Sequence, residues 1–423
     1  MSATQETVSK SSQGPGVQGA LSHIRVLDLS RVLAGPWATQ ILGDLGADVI
    51  KVERPGAGDD TRHWGPPWMP DEAGQDSDVA AYYLCTNRNK RSITIDMASA
   101  GGQALLRQLA TESDVLVENF KVGGLARYGL DYDALAAINP RLVYCSITGF
   151  GQTGPYAERA GYDFLIQGLG GLMSITGRPD DEAGGGPMKV GVALVDILTG
   201  LYAANAIQAA LAAREKTGRG QHLDVALLDV QVACLANQAM NYLATGRDPQ
   251  RLGNAHPSIV PYQDFPTADG HMILAIGNDG QFERFCIEAG QPELARDPRF
   301  ASNQARVTHR QVLIPILREI TRTRGTAQWI ASLEARAVPC GPINGLHDVF
   351  ADAQVRARGL QIEMTHAGAG RVPLVASPMR LSDTPVDYRL PPPALGAHTE
   401  EVLRDWLGMS ADQAQALRGQ GVL

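Results

Sequence analysis

The sequence predicts an α/β protein whose first half is built on a parallel, doubly wound sheet. It begins with a buried strand over Ile24–Leu29 and a helix that starts near Pro36, because proline is favoured in the first turn of a helix. Gly46 ends that helix, and a second buried strand follows at once over Ala47–Glu53. This short βαβ unit is typical of parallel sheets. Two more strands are predicted at 114–118 and 142–147, each after a helix, at 102–111 and 132–137.

The middle of the chain has a different pattern and is a candidate second domain. Apolar residues recur at helical spacing from Leu194 to Leu211, and the alanine-rich composition of this stretch predicts close helix–helix packing. A second helix is predicted over 225–242. Residues 270–276 are typical of an antiparallel strand, and helices follow to about 336. A last helix is predicted over 400–406.

The composition is that of a globular protein with a large core, since 44% of the 423 residues are hydrophobic and 19% are charged. A net charge of −8 argues against a sequence-independent nucleic-acid surface. Residues 1–20 lack the apolar core of a signal peptide, and no run reaches the ~18 continuous apolar residues of a membrane span. We therefore expect a cytoplasmic protein that binds neither nucleic acid nor a membrane.

Several sites of known chemistry are missing from the sequence. The first strand–helix turn lacks the spaced glycines of a dinucleotide fingerprint, so an NAD-dependent oxidoreductase is not indicated. Neither a phosphate-binding loop nor a GxSxG nucleophile motif occurs. The histidines are far apart and the five cysteines are scattered, which supports neither a metal site nor a disulfide framework.

One carboxylate is well placed for chemistry. Asp163 follows a Gly161–Tyr162 turn and precedes an apolar helical run, so it is predicted at a helix N-terminus, beside unpaired backbone N–H groups. Spacing alone also fits an ordinary helix cap.

A resemblance to a known family adds to this interpretation. The chain resembles the class III CoA-transferases, the family of formyl-CoA transferase and carnitine CoA-transferase, over Ile24–Leu423. Within that family it is most similar to the succinyl-CoA:glutarate (dicarboxylate) CoA-transferases. The stretches that carry the resemblance are RVLAGPWATQILGDLGADVIKVERPGAGDDTR, NRNKRSITIDM, VENF, SITGFGQTGP, AGYD, AHPSIVPYQ, IGNDGQF and CGPINGLHDVFADAQV.

The resemblance implies a Rossmann-like large domain built from both chain ends, with a smaller α+β domain inserted. It also implies a homodimer of two interlocked chains. The expected organisation is a flexible tail at 1–22, a first part of the large domain at 23–224, a small domain at 225–338, and a C-terminal segment at 339–423 that returns to the large domain.

The resemblance further implies the reaction. CoA would move from succinyl-CoA or a similar acyl-CoA to a free dicarboxylate-like acid, such as glutarate, itaconate, malate or 3-sulfinopropionate. Asp163 matches the catalytic aspartate of the family, which forms aspartyl-anhydride and aspartyl-CoA intermediates. No cofactor or metal is implied, because CoA itself is part of the substrate.

Two sets of binding residues follow from the resemblance. Arg54 ends the second predicted strand, a suitable place for a phosphate at the edge of the sheet. The implied CoA-binding residues are Leu33, Ala34, Arg54, Ile95, Asn119, Phe120 and Arg127. The candidates for the acyl or acceptor pocket are Trp64, Arg88, Phe150, His256, Gly277 and Gly280.

This sequence departs from formyl-CoA transferases at two positions. Leu33 stands where they have glutamine, and Thr148 replaces a lysine, which argues against oxalate as the acceptor. Two alternatives remain. An α-methylacyl-CoA racemase of the same fold would need a second base, but no histidine lies between His63 and His222. A non-catalytic CoA-binding protein is disfavoured because Asp163 is present.

Overall fold

The computed structural model describes residues 19–71 and 73–423. The predicted flexible tail, 1–22, therefore lies outside the described residues except for its last four positions. There the chain forms a turn, and the Leu21 N–H donates a hydrogen bond to the Leu45 carbonyl over 2.9 Å.

A six-stranded parallel sheet organises the larger part of the chain, in the order β5-β2-β1-β6-β7-β8. Its inner strands are buried on both faces, as expected when helices cover a parallel sheet. The strands of the described chain are β1 Arg25–Asp28, β2 Asp48–Glu53, β3 Trp68–Pro70, β4 Asp76–Ala80, β5 Lys90–Thr94, β6 Val115–Glu118, β7 Val143–Thr148, β8 His222–Ala226, β9 Tyr262–Pro266, β10 His271–Ala275, β11 Cys340–Pro342, β12 Gln361–His366 and β13 Gly370–Val375.

Some of the α-helices pack on this sheet, and others form most of a second unit. They are α1 Ala34–Asp44, α2 Ala81–Leu84, α3 Ala100–Thr111, α4 Tyr132–Ile138, α5 Asp163–Leu169, α6 Leu172–Ile175, α7 Leu194–Thr217, α8 Leu227–Ala233, α9 Ala236–Thr245, α10 Asp279–Glu288, α11 Asn303–Thr308, α12 Arg310–Thr321, α13 Thr326–Glu334, α14 Leu346–Ala351, α15 Ala353–Ala357, α16 Thr399–Leu407 and α17 Ala411–Gly419.

The sheet has the strand order of dinucleotide-binding folds. From β1 the chain builds outward through β2 and β5, and it then returns to the other side of β1 for β6, β7 and β8. The carboxyl ends of β1 and β6 are therefore the topological switch point, where ligands bind in open α/β sheets. The predicted parallel, doubly wound sheet is confirmed.

Two strands of this sheet were not predicted. β5 carries Lys90 and Arg91, which give it no apolar pattern, and both side chains are buried because they pair with Asp28 and Asp48. β8 occupies the start of the helix predicted over 225–242. That helix is also broken further along, between α8 and α9, where Ala236 has a φ of 45°.

Helix α7 packs closely on α1, as the alanine-rich composition predicts. A Cβ atom added at Gly200 would lie 2.7 Å from the Ala34 carbonyl oxygen, so only glycine allows this approach. By length and composition alone α7 could cross a membrane, but a core helix passes the same test. Its residues Ala203, Ile207 and Ala210 are buried in the cluster that includes α1.

The first unit contains the described residues up to Gly170, together with Gly191–Cys234 and Arg358–Leu423. The C-terminal part belongs here because α16 packs on β5. The Trp406 indole N–H donates to Asp48 over 2.9 Å.

The second unit contains Gly171–Val190 and Leu235–Ala357. Its antiparallel sheet, β11-β10-β9, includes the strand predicted at 270–276. These bounds differ from the predicted small domain, 225–338. The reason at the C-terminal end is that β11, beyond 338, pairs with β10.

Candidate active site

The loop between β1 and α1 lies at the switch point and is held by Asn119. The Asn119 side chain accepts a hydrogen bond from the Arg31 N–H over 3.0 Å and donates to the Arg31 carbonyl over 2.7 Å. The Arg31 guanidinium lies 5.4 Å from the centre of the Phe120 ring. Leu33 and Ala34 follow directly and are buried. The structure thus brings four of the predicted CoA-binding residues to one place.

The same loop depends on a buried ion pair that sequence analysis missed. Val32 has a φ of 71°, which is rare for a β-branched residue. Its N–H donates to the Asp59 carboxylate, which also pairs with buried Lys51 at 2.8 Å. Lys51 helps to hold the pKa of Asp59 down to about 2, although burial alone would raise it. A lysine within the apolar β2 strand was the available signal for this pair.

The remaining predicted CoA-binding residues lie after other strands of the sheet or in a nearby turn. Arg54 directly follows β2 and is exposed. Ile95 directly follows β5, is buried, and donates its N–H to the Glu53 carbonyl over 3.0 Å. Arg127 lies in a short 3-10 helix between β6 and α4 and is exposed, with its guanidinium 4.5 Å from the centre of the Tyr128 ring. Two exposed cations are therefore available to phosphate groups.

Asp163 is positioned by a contact between two glycines. A Cβ atom at Gly149, just after β7, would lie 2.5 Å from the Gly161 Cα, and one at Gly161 would lie 2.4 Å from the Gly149 Cα. Only glycine fits at either position, because real Cβ contacts are longer than this. The contact fixes residue 161 against the end of β7. Asp163 then begins α5 two residues later.

The Asp163 carboxylate also meets the N-terminus of α7. Its Oδ1 accepts hydrogen bonds from the backbone N–H groups of Val195, over 2.8 Å, and Asp196, over 3.3 Å. Its Oδ2 accepts one from the Gln167 side chain over 2.7 Å. The partial positive charge at the start of a long helix stabilises an anion at this position. These hydrogen bonds orient the carboxylate. Asp163 is only half buried, so its carboxylate is also accessible.

Two further titratable groups surround Asp163. Burial and the charge of Asp163 raise the pKa of Asp196 to about 7. Burial, together with several nearby acidic groups including Asp163 and Asp196, raises the pKa of the Tyr82 phenol to about 12. Tyr82 also contacts Trp64 edge to face, with ring centres 5.1 Å apart. Trp64, a predicted acceptor-pocket residue, is thereby linked to the surroundings of Asp163.

The structure argues against Arg88 as an acceptor-binding residue. Its guanidinium is buried, pairs with both carboxylate oxygens of Asp44 and donates to the Val375 carbonyl. These bonds commit the cation to the protein itself. Phe150, in contrast, directly follows Gly149, and its ring contacts Tyr156 at 5.6 Å between centres.

The other three predicted pocket residues belong to the second unit. The His256 ring accepts a hydrogen bond from the Ser258 N–H over 3.0 Å and packs against Tyr262. Gly277 and Gly280 flank the start of α10, where the Asn278 side chain accepts the Gln281 N–H. Neither glycine has a positive φ. The segment 277–280 therefore has the local structure of a helix cap.

The first unit contains a cavity of about 680 Å³ that Asp163 does not line. Arg62, His63, Tyr83 and His366 are among its lining residues, and none of the CoA-binding or acceptor-pocket residues named above lines it. Arg62 is held there by both carboxylate oxygens of Glu53. Within residues 19–71 and 73–423, no group of three or more His, Cys, Asp or Glu residues could hold a metal ion.

Comparison with known proteins shows which family this chain belongs to. The model of CoA-transferase family III matches residues 21–399. The chain belongs to CoA-transferase family III.

This CoA-transferase has relatives that match nearly all of its length. It is 54% identical to the succinate–glutarate CoA-transferase of Agrobacterium fabrum, over 92% of this chain and 96% of that one. It is 46% identical to the human succinyl-CoA:glutarate CoA-transferase, over 92% of this chain and 86% of that one. A crystal structure of a CAIB/BAIF family protein from Brucella suis, 52% identical, superposes with a TM-score of 0.80 and covers 92% of this chain and 100% of that one.

These comparisons confirm the resemblance and the class of enzyme. The curated relatives are themselves named as CoA-transferases, so this CoA-transferase is an enzyme rather than a non-catalytic CoA-binding protein. Its substrates are acyl-CoA and acids.

Proposed function

We propose that this enzyme transfers CoA from succinyl-CoA to glutarate or a closely similar dicarboxylate, with Asp163 as the nucleophile. The names and high identities of the relatives support the two substrates. The observation that carries the role of Asp163 is its carboxylate at the N-terminus of α7, oriented by two backbone N–H groups and the Gln167 amide.

In this proposal CoA binds at the switch point of the sheet. The exposed guanidinium groups of Arg54 and Arg127 meet its phosphates, because charge-assisted hydrogen bonds favour arginine there. The pantetheine arm passes the loop at Leu33 and Ala34, which Asn119 holds in place. The thioester then reaches Asp163.

The chemistry proceeds in balanced steps. One oxygen of Asp163 attacks the thioester carbonyl, the C–S bond breaks, and an aspartyl-succinyl anhydride and CoA thiolate form. The thiolate attacks the aspartyl carbonyl of the anhydride, which gives aspartyl-CoA and releases succinate. Glutarate then attacks aspartyl-CoA, and the thiolate resolves the second anhydride to glutaryl-CoA and free Asp163.

The N-terminus of α7 serves each of these steps. The N–H groups of Val195 and Asp196 bind Oδ1, so Oδ2, which the Gln167 amide orients, acts as the nucleophile. When that carboxyl group becomes acylated, the same donors face its carbonyl oxygen and stabilise the oxyanion that forms on attack.

We also propose that a second copy of the chain covers this region. Large apolar side chains on α5 and α7 are exposed in the single chain, with Phe164 60% and Tyr202 49% accessible. Monomeric proteins rarely leave such groups clustered in water. Their coverage in a homodimer would protect the anhydrides from hydrolysis.

The test is an acceptor panel with succinyl-CoA, in which new CoA esters are separated by chromatography. Glutarate, itaconate, L-malate, 3-sulfinopropionate, oxalate and carnitine are compared, and we expect glutaryl-CoA as the main product. A one-methylene difference changes specificity only ~10–200-fold, so weaker transfer to other dicarboxylates is compatible with the proposal. A wild-type enzyme that forms no new thioester with any of these acids overturns it.

The role of Asp163 is tested with Asp163→Ala. We expect transfer to fall at least about a thousandfold, as for other nucleophile deletions, while calorimetry still detects CoA binding. Asp229→Asn, an exposed first-turn aspartate of α8, is the matched control and should keep its activity. Near-normal turnover by Asp163→Ala contradicts the mechanism.

A further inference from the structure

A second carboxyl group lies at the proposed nucleophile. Asp196 is the third residue of α7, and its backbone N–H donates to the Asp163 carboxylate over 3.3 Å. Its side chain is partly buried. The mechanism above uses this backbone N–H but gives the side chain no role.

Two carboxylates therefore share one helix N-terminus. The partial positive charge there favours an anion, but two carboxylates at one partly buried helix end do not both ionise readily. Asp163 receives the Val195, Asp196 and Gln167 donors, so it is the carboxylate that carries the charge. The proton of the pair then belongs to Asp196. The pKa of about 7 that burial and Asp163 give to Asp196 agrees with this assignment.

No other described charge competes with this effect. Tyr82, on α2, is the nearby phenol, and its own pKa is raised, so it stays neutral. α7 packs against α1, α5, α8, β7 and β8. Apart from Asp163, the titratable groups on those elements are Asp44, Tyr144, Cys145, His222, Asp224 and Asp229, and none of them shifts the pKa of Asp196.

We propose that Asp196 is a second catalytic carboxyl group, which keeps a proton while Asp163 is ionised and gives it to the CoA sulfur when Asp163 is acylated. The proposal rests on the nucleophilic role of Asp163. It adds a proton donor to a reaction whose leaving group is otherwise a free thiolate.

The proton balance follows the charge of Asp163. In the resting enzyme Asp163 is a carboxylate and Asp196 is a carboxylic acid. When Asp163 attacks the thioester it becomes a neutral anhydride, the negative charge moves to the sulfur, and the repulsion that kept Asp196 protonated ends. The Asp196 O–H proton then passes to the thiolate, which gives CoA thiol and the Asp196 carboxylate. In the next step Asp196 takes the proton back as the sulfur attacks the anhydride.

The test compares Asp196→Asn with wild-type enzyme and with Asp229→Asn over pH 5.5–8.5. Because the active resting form carries the Asp196 proton, wild-type kcat/KM should fall as the pH rises through about 7. Asp196→Asn cannot transfer a proton, so its kcat should be reduced at least about a hundredfold. The fall in kcat/KM near pH 7 should also disappear. Its KM for succinyl-CoA should stay within about threefold of the wild-type value, since a general acid acts on kcat. Asp229→Asn should match wild type in rate and pH profile.

Asp196→Glu provides the second variant, since it keeps an acid one methylene further along. We expect partial recovery of kcat relative to Asp196→Asn and a pH-dependent fall that returns at a shifted pH. If Asp196→Asn does not fold, a fall in Asp196→Glu at an unchanged pH overturns the proposal. If Asp196→Asn folds with wild-type rate and profile, or if Asp196→Glu is no faster than Asp196→Asn, the proposal is also overturned. If the wild-type enzyme itself shows no CoA transfer, the proposed function is overturned instead.

Discussion

The position of Asp163 depends on neighbours that contribute no functional group. Gly149 and Gly161 touch through their Cα atoms, and this contact places the start of α5 against the end of β7. Catalytic geometry is sensitive to small displacements, so a side chain inserted between these glycines should act on Asp163 from a distance.

We expect Gly149→Ala to reduce turnover about a hundredfold and to destabilise the protein by about 1–3 kcal/mol. The new Cβ would lie 2.5 Å from the Gly161 Cα, so the two segments must separate. Steady-state kinetics and thermal melting measure the two effects. Gly419→Ala, at a position where a Cβ atom meets nothing within 4 Å, is the control and should change neither quantity. Wild-type kinetics in Gly149→Ala would show that the glycine contact does not set the position of Asp163.

At the scale of the element, local pattern predicts those strands whose burial comes from apolar side chains. β1, β2, β6 and β7 were found in this way, and Gly46 correctly marks the turn before β2. β5 was not found, because Lys90 and Arg91 are buried only through partners far away in the sequence. A single-sequence pattern contains no record of such pairing.

The candidate site likewise contains residues that local sequence predicts and residues whose partners are distant in sequence. Asp163 could be placed at a helix start from its surroundings, but only the family resemblance distinguished it from a cap. The pairing of Arg88 with Asp44 could not be predicted, because it joins elements distant in sequence. Asp196 was missed because an acidic residue in the first turn of a helix has an ordinary structural explanation. Its proximity to Asp163 arises only when α5 and α7 pack together.

The β6 strand gives a prediction about pH and stability. Glu118, at its carboxyl end, accepts the Phe120 N–H over 2.7 Å, and burial raises its pKa to about 7. The folded state thus holds a proton that the unfolded chain releases near the ordinary pKa. The resulting stability is present below pH 4.5 and is lost as the pH rises through about 7.

We therefore expect Glu118→Gln to gain stability relative to wild type between pH 5 and pH 8. The relative gain is on the order of 3 kcal/mol at 1.36 kcal/mol for each pKa unit. Thermal melting of both proteins across this range measures the difference in stability. The other titratable groups are the same in both proteins, so their effects cancel in this difference. A difference in melting temperature that is the same at both ends of the range contradicts a raised pKa at Glu118.

For the whole molecule, the exposed apolar residues lead to a prediction about assembly. We expect light scattering to give a mass about twice the 45.1 kDa of one chain. Leu201, on α7, is 48% accessible in the single chain, so Leu201→Glu should reduce the dimer fraction and lower activity. Gln108→Glu adds the same charge at an already exposed polar position on α3 and should leave the dimer intact. A monomeric wild-type enzyme with full activity would contradict the proposed homodimer.

The discontinuous first unit has a consequence for biosynthesis. On the ribosome, β1 to β8 emerge early, but α16, which packs on β5, is made only after the whole of 235–357. At ~5–20 residues per second this delay is on the order of ten seconds. During that time the nascent chain presents an open edge at β5, including the cation of Arg91 without its Glu401 and Asp405 partners. The order of synthesis therefore leaves this edge without its C-terminal partners until the last helices leave the exit tunnel.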